Sequence, residues 1–142
     1  MFLVPVNYFA VVVSGIAHMI IGFLWYGPIF GKECMSLVGM TKEKMEKAKK
    51  EGMEKKYLVS FFLSLLMAYA LEHFIWFTAP GATTLTIGIK SALWVWVGFI
   101  ATNSASSYLF SAENKPWKLY LLDNGYMLTS LIAMGAILSL WP

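Results

Sequence analysis

The sequence predicts an all-α membrane protein, four transmembrane helices in a compact bundle with a short amphipathic cytoplasmic helix in the first inside loop. Three observations predict it. Long apolar stretches cover residues 6–30, 57–77, 85–110 and 119–141, each long enough as a helix to cross a hydrocarbon core of about 30 Å. Ten of the eleven lysines fall in just two of the connections between those stretches. Charged residues make up 13% of the chain, about half the share usual in a soluble globular domain. The four spans use nearly all of the 142 residues, which leaves a single domain, residues 1–142, and no room for a soluble catalytic module.

The first stretch lacks a basic leading segment, and its apolar run outlasts the core of a signal peptide, so it reads as a retained helix. Ala10, Ser14, His18 and Gly22 recur every four residues. Such a small-residue stripe permits close helix contact and aims His18 at protein rather than lipid. Trp25 and Tyr26 are interface anchors, rings suited to headgroup level at the end of this helix. Pro28 disfavours helical geometry at Gly27 and makes a rigid exit.

The connection 32–56 carries eight Lys against five Glu. Within it Thr41 can cap a helix through Lys42–Ala48, with Met45, Ala48 and Met53 forming a narrow apolar stripe and Gly52 weakening the far end. The simplest reading is a solvated helix lying on the headgroups; the stripe is too narrow to demand a partner. Cys34, the only cysteine, permits no internal disulfide, and an unmodified interfacial thiol is a simpler reading than reversible acylation. The methionines of this connection match no compact thioether metal site.

On the second stretch Tyr69, Glu72, His73 and Trp76 follow the i, i+3, i+4, i+7 spacing of one helix face. Lys90 stands at similar depth near the start of the third. A carboxylate in lipid should face the bundle interior and pair with a cation, so a Glu72–Lys90 pair that holds helix register is the expectation. The functional alternative is an ion, proton or small-solute site with His73 as titratable neighbour. His18, Ser64 and Tyr126 fall near a common middle level, where a neutral His18 would hydrogen-bond Ser64 or Tyr126. Asn103, Ser107, Asp123 and Asn124 gather towards the other boundary, where they can satisfy helix ends and fix the third–fourth hairpin, or form the mouth of a pathway. Leu65, Leu66 and Met67 lie between the His18 and Glu72 levels and are expected to keep the polar layers apart.

Orientation follows from the lysines. Connections 32–56 and 111–118 are basic, whereas the N-terminal segment, the 78–84 connection and the C-terminal Trp141-Pro142 carry no charged side chain. Basic short loops stay in the cytoplasm. This places a multi-pass protein in the cell membrane with both termini outside, and the net charge of +3 then suits an anionic leaflet rather than nucleic acid.

No Gly-rich phosphate loop, nucleophile elbow, paired-Cys motif or zinc-type His spacing occurs. His18 and His73, the two histidines, sit on different helices. The expectation is therefore no enzyme, no metal and no cofactor. The two hairpins run in the same direction, but too few residues correspond to indicate a transporter-type repeat.

The run Gly22-Phe23-Leu24-Trp25-Tyr26-Gly27-Pro28-Ile29-Phe30-Gly31-Lys32 resembles the hallmark of a family of small prokaryotic membrane proteins, catalogued as domain of unknown function 1761. Val6-Asn7-Tyr8 is similar to that family's opening, Ala70-Leu71-Glu72-His73-Phe74 to its second helix, and Gly125-Tyr126 with Met134-Gly135-Ala136-Ile137-Leu138 to its fourth. The resemblance covers essentially the whole chain and implies a four-helix membrane protein, without supplying an activity, ligand or catalytic residue.

The functional expectation is a non-enzymatic scaffold or accessory subunit in the lipid bilayer, with a membrane-protein partner or as a homo-oligomer. The alternative is a small transporter or channel using the polar layers. Orientation is directly testable: with Cys34 replaced, an Ala48→Cys chain should resist an impermeant thiol reagent in intact cells and react after permeabilisation. Labelling in intact cells would reverse the assignment.

Overall fold

The structure, a computed structural model, describes residues 4–39, 41–112 and 115–141. The Asn7 side chain opens α1 (Tyr8–Leu24) by accepting the Ala10 backbone N–H at 3.2 Å, a standard N-cap. Beyond Leu24 the chain does not leave the helix at Gly27. It continues as a wider π-helical turn over Trp25–Ile29, closed by the Phe30 N–H on the Trp25 carbonyl at 2.9 Å. Proline has no N–H and its ring crowds the carbonyl four residues back; the wider turn relieves that crowding, so Pro28 reshapes the helix instead of ending it.

Two short helices occupy the first basic connection. Helix α2 (Gly31–Val38), which the sequence reading missed, stops where Gly39 turns left-handed at φ 68°. Helix α3 (Lys42–Lys50) is the expected one, and the Thr41 hydroxyl accepts the Lys44 N–H at 3.2 Å. Met45 and Ala48 are its half-buried stripe. The remaining helices are α4 (Glu54–Thr78), α5 (Leu85–Val95), a second π-helical segment Trp96–Ala101 leading into α6 (Thr102–Leu109), and α7 (Trp117–Leu140). Four segments, Tyr8–Ile29, Glu54–Thr78, Leu85–Leu109 and Trp117–Leu140, are long and apolar enough to cross a membrane. They match the predicted spans within a few residues and make this a multi-pass membrane protein.

The segment before α1 and the end of α7 meet at one end of the bundle, where the Asn7 side-chain amide donates to the Trp141 carbonyl at 3.0 Å. The basic connections lie at the other end. The principal packing is of α7 on α5, α1 on α4, and α1 on α7, and α7 is the most buried span. The core joins Ala10 and Val11 of α1, Ala68, Leu71 and Ile75 of α4, Ala92 of α5, and Leu131, Met134 and Leu138 of α7.

Two contacts set the spacing. A Cβ at Gly88 would collide with the Gly135 carbonyl and Ser139, and one at Gly135 would collide with the Gly88 carbonyl. On the other side, a Cβ at Gly15 would stand 2.9 Å from the Leu65 side chain. The predicted stripe on α1 is a packing face: Ala10 and Ser14 are buried and Gly22 lies under Tyr126. Gly88→Leu should therefore lower stability by about 3 kcal/mol, since overpacking a close contact forces the backbones apart. A Cβ at Gly98 meets nothing within 4 Å, so Gly98→Leu should be neutral to within about 0.5 kcal/mol. Denaturation midpoints in micelles compare the two.

Candidate functional site

The middle of the bundle holds a His–Tyr–Ser cluster between α1 and α7. Gly22 leaves room for the Tyr126 hydroxyl, which donates to the His18 carbonyl at 3.1 Å and lies 3.0 Å from His18 Nε2. His18 Nδ1 pairs with the Ser130 hydroxyl. Two neutral tautomers fit: with Nε2–H donating to Tyr126, Nδ1 accepts from Ser130; with Nδ1–H donating to Ser130, that hydroxyl keeps its own bond to Met134 Sδ at 3.8 Å. Of the two partners expected for His18, Tyr126 is found and Ser64 is not. Ser64 instead donates to the Ser60 carbonyl one turn back, at 2.8 Å.

Towards the basic end, α1 and α6 both reach a single carboxylate on α7. Asp123 Oδ1 accepts from the Tyr26 hydroxyl at 2.7 Å, and Oδ2 accepts from the Tyr108 hydroxyl at 3.0 Å. Trp25 and Tyr26, expected as interface anchors, both bond α7: the Trp25 indole donates to the Leu122 carbonyl at 3.0 Å, in space left by Gly125. Trp96, first residue of the second π-helical segment, does the same from the opposite flank, donating to the Asn124 carbonyl at 2.9 Å. Asn124 is buried and donates to Ser104 Oγ and the Tyr120 carbonyl, both at 2.9 Å. Asn103 does not join them. It is exposed, because the π-helical segment rotates α6 so that Ser104, one residue on, faces α7.

A cavity of about 510 Å³ opens between α1, α4 and α7 beside these two clusters. His18, Tyr26 and Tyr126 give it a polar floor, while Met19, Phe23 and Tyr57 line its sides. The Tyr26 and Tyr126 rings meet edge to face at 5.3 Å.

The third polar site lies where the segment before α1 meets the end of α7. Glu72 is 7% exposed, and its Oε1 accepts the Asn7 backbone N–H at 3.1 Å. The expected Glu72–Lys90 pair does not form. Lys90 is exposed and lines a separate groove between α4 and α5. Among the described residues the only ion pair is Lys118–Glu33 at 3.7 Å, exposed and therefore weak. The reason is geometric: Asn7 and α7 occupy the inner side of Glu72, and Gly88, Ser91 and Ala92, not Lys90, form the buried face of α5. The predicted face of α4 also divides. Glu72 and Trp76 line a cavity, whereas His73 donates from Nδ1 to the Tyr69 carbonyl at 2.9 Å, with the two rings 4.5 Å apart.

A mainly apolar layer, interrupted by the buried Ser14 hydroxyl, lies between Glu72 and His18, and of the expected Leu65, Leu66 and Met67 the second faces outward. Ala10 and Val11, Ala68 and Leu71, and Leu131 and Met134 occupy the intervening turns of α1, α4 and α7. No group of three or more His, Cys, Asp or Glu side chains converges to hold a metal among the described residues.

Residues 9–139 match the sequence model of a family described as "Protein of unknown function (DUF1761)". The chain belongs to that family. No curated protein and no solved structure matches it significantly. In this DUF1761 protein, the Trp-Tyr-Gly-Pro run that carries the family resemblance is the π-helical turn that ties α1 to α7.

Cys34 of this DUF1761 chain is buried on α2. Burial pushes its thiol above the ordinary range, and the negative charges of Asp123 and Glu33 add to the shift. A raised pKa keeps the thiol protonated, so the reactive thiolate forms only above the usual alkaline range. Alkylation of the folded protein should therefore be slow at neutral pH, with a rate profile displaced upwards from that of the unfolded chain. Asp123→Asn should move the profile back towards lower pH; an unchanged profile would separate Cys34 from the Asp123 cluster.

Proposed function

We propose that this chain is a non-enzymatic, non-conducting accessory subunit of a membrane assembly, with its basic connections cytoplasmic, and that a partner helix seats between α4 and α5. The observation that carries this reading is the groove of about 440 Å³ between those helices. Leu85–Leu109 is the least buried of the four spans, and its outward side, apolar at Leu93, Trp94, Val97 and Phe99, also carries a charge. Lys90 is exposed and without an ion-pair partner among the described residues, and beneath it, at the inner edge of the groove, the buried Ser91 hydroxyl has no hydrogen bond. Gly98 faces open space and Trp94 is 75% exposed.

A lysine facing hydrocarbon costs roughly 2.5–3.5 kcal/mol at a helix centre and less near its end, where it can snorkel. A partner helix carrying a carboxylate at the level of Lys90 offsets that cost, and Gly98 allows its backbone to come close. The second reading, a small transporter, is favoured by the 510 Å³ cavity floored by His18, Tyr26 and Tyr126. The mainly apolar layer between His18 and Glu72 opposes it, because a conduction route must be continuous.

Two measurements decide between them. With Cys34 replaced, Gly98→Cys should cross-link in native membranes to a discrete partner, and Lys90→Glu should abolish the adduct. Phe9→Cys, on another exposed face, should give none. Purified chain in proteoliposomes should pass neither ions nor protons; flux abolished by His18→Ala would replace the accessory-subunit reading with the transporter.

A further inference from the structure

Glu72 is the one carboxylate of the described chain that the bundle buries without fully satisfying. Oε1 accepts the Asn7 N–H, but Oε2 is covered and no hydrogen-bond donor reaches it. Leaving such an atom unmade costs about 1–3 kcal/mol, more for a charged group. Protonation does not remove the difficulty, since a hydroxyl on Oε2 would need an acceptor in its turn. The helices packed around Glu72 bring no described cation to it. Near this end α1 and α7 carry no charged residue, Lys90 of α5 lines the other groove, and His73 is engaged with Tyr69.

Beside Glu72 lies a cavity of about 260 Å³, formed by the segment before α1, the last turns of α4, the α4–α5 connection and the end of α7. Its walls are apolar at Pro5, Ile75 and Leu138, Trp76 adds an aromatic surface, and Thr83 a single hydroxyl. One carboxylate in such surroundings does not suit Ca²⁺ or Mg²⁺, which take six or more oxygen ligands, nor Zn²⁺, which needs several His, Cys or carboxylate ligands together. It suits an organic cation: a positive head for the carboxylate, an indole that attracts cations, and aliphatic walls for a short chain. Because Oε2 lacks a donor, the head should carry N–H groups.

We propose that this cavity binds a primary alkylammonium group, which donates to the Glu72 carboxylate, Oε2 turning from its covered position into the cavity to accept it, and lays its alkyl part against Trp76, Ile75 and Leu138. The amine can come from a free solute or from an aminophospholipid headgroup, since the cavity lies at the end of the spans. The site is independent of the α4–α5 groove and needs no transport.

The test uses the full chain in phosphatidylcholine nanodiscs with n-butylammonium as probe, read by saturation-transfer NMR. Binding should weaken about tenfold or more in Glu72→Gln, the loss expected for one charge-assisted hydrogen bond, and should be weaker for tetramethylammonium and for 1-butanol. Ala82→Trp, which fills the cavity from its exposed rim and keeps the carboxylate in place, should also abolish it and serves if Glu72→Gln fails to fold. Adding phosphatidylethanolamine should displace the probe if the headgroup is the natural source and leave it bound if a soluble amine is. Equal binding by folded wild type and Glu72→Gln, undiminished binding by Ala82→Trp, or no binding by the folded wild type would each overturn the site.

Discussion

The contact of α7 with its neighbours is the constraint on which the other features depend. At Gly88 and Gly135 the backbones of α5 and α7 approach until neither position has room for a Cβ. Between apolar helices in lipid there is no water to expel, so association rests on close packing and interhelical hydrogen bonds. Small residues supply the first and α7 supplies most of the second. Its Asp123, Asn124, Tyr126 and Ser130 each bond a group on another helix, and its Leu122 and Asn124 carbonyls receive the two indoles.

This arrangement explains why the two π-helical segments matter. Each begins with a tryptophan, and each tryptophan reaches a carbonyl on the same short stretch of α7, one from α1 and one from α5. An added residue per turn shifts the register of the side chains that follow it. In α1 that shift places Tyr26 over Asp123; before α6 it turns Ser104 to α7 and leaves Asn103 outside. The polar end of the bundle is thus built by two local irregularities converging on one regular helix.

Polar residues divide into those the bundle satisfies and those it does not. Asp123 accepts two tyrosine hydroxyls, and His18 finds hydrogen bonds on both ring nitrogens. Both sets read as structure, since each ties side chains of different helices together. Glu72 and Lys90 are different: one keeps an unbonded oxygen inside the bundle, the other an unpaired charge on its outside. A surplus of polar capacity that a fold does not use internally is where contact with other molecules is expected.

The sequence by itself determined the four spans, the Thr41-capped helix, the packing stripe on α1 and the His18–Tyr126 level. These follow from span length, capping chemistry and helical spacing, all local properties of the chain. It placed Leu65, Leu66 and Met67 between Glu72 and His18, but Leu66 faces outward and the buried side chains there are Ala68 and Leu71 with partners on α1 and α7. What only the tertiary structure decided is partner choice. Glu72 and Lys90 share a depth, yet depth says nothing about rotation about a helix axis, and rotation turned Lys90 away and gave Glu72 to Asn7. Asp123 could not be matched to Tyr26 and Tyr108 for a related reason: the π-helical turns that aim α1 and α6 at α7 break the 3.6-residue period on which a face is read. A proline with bulky aromatic neighbours marks the first of these turns in the sequence, but how the backbone absorbs it depends on the indole finding a carbonyl on a helix about a hundred residues away.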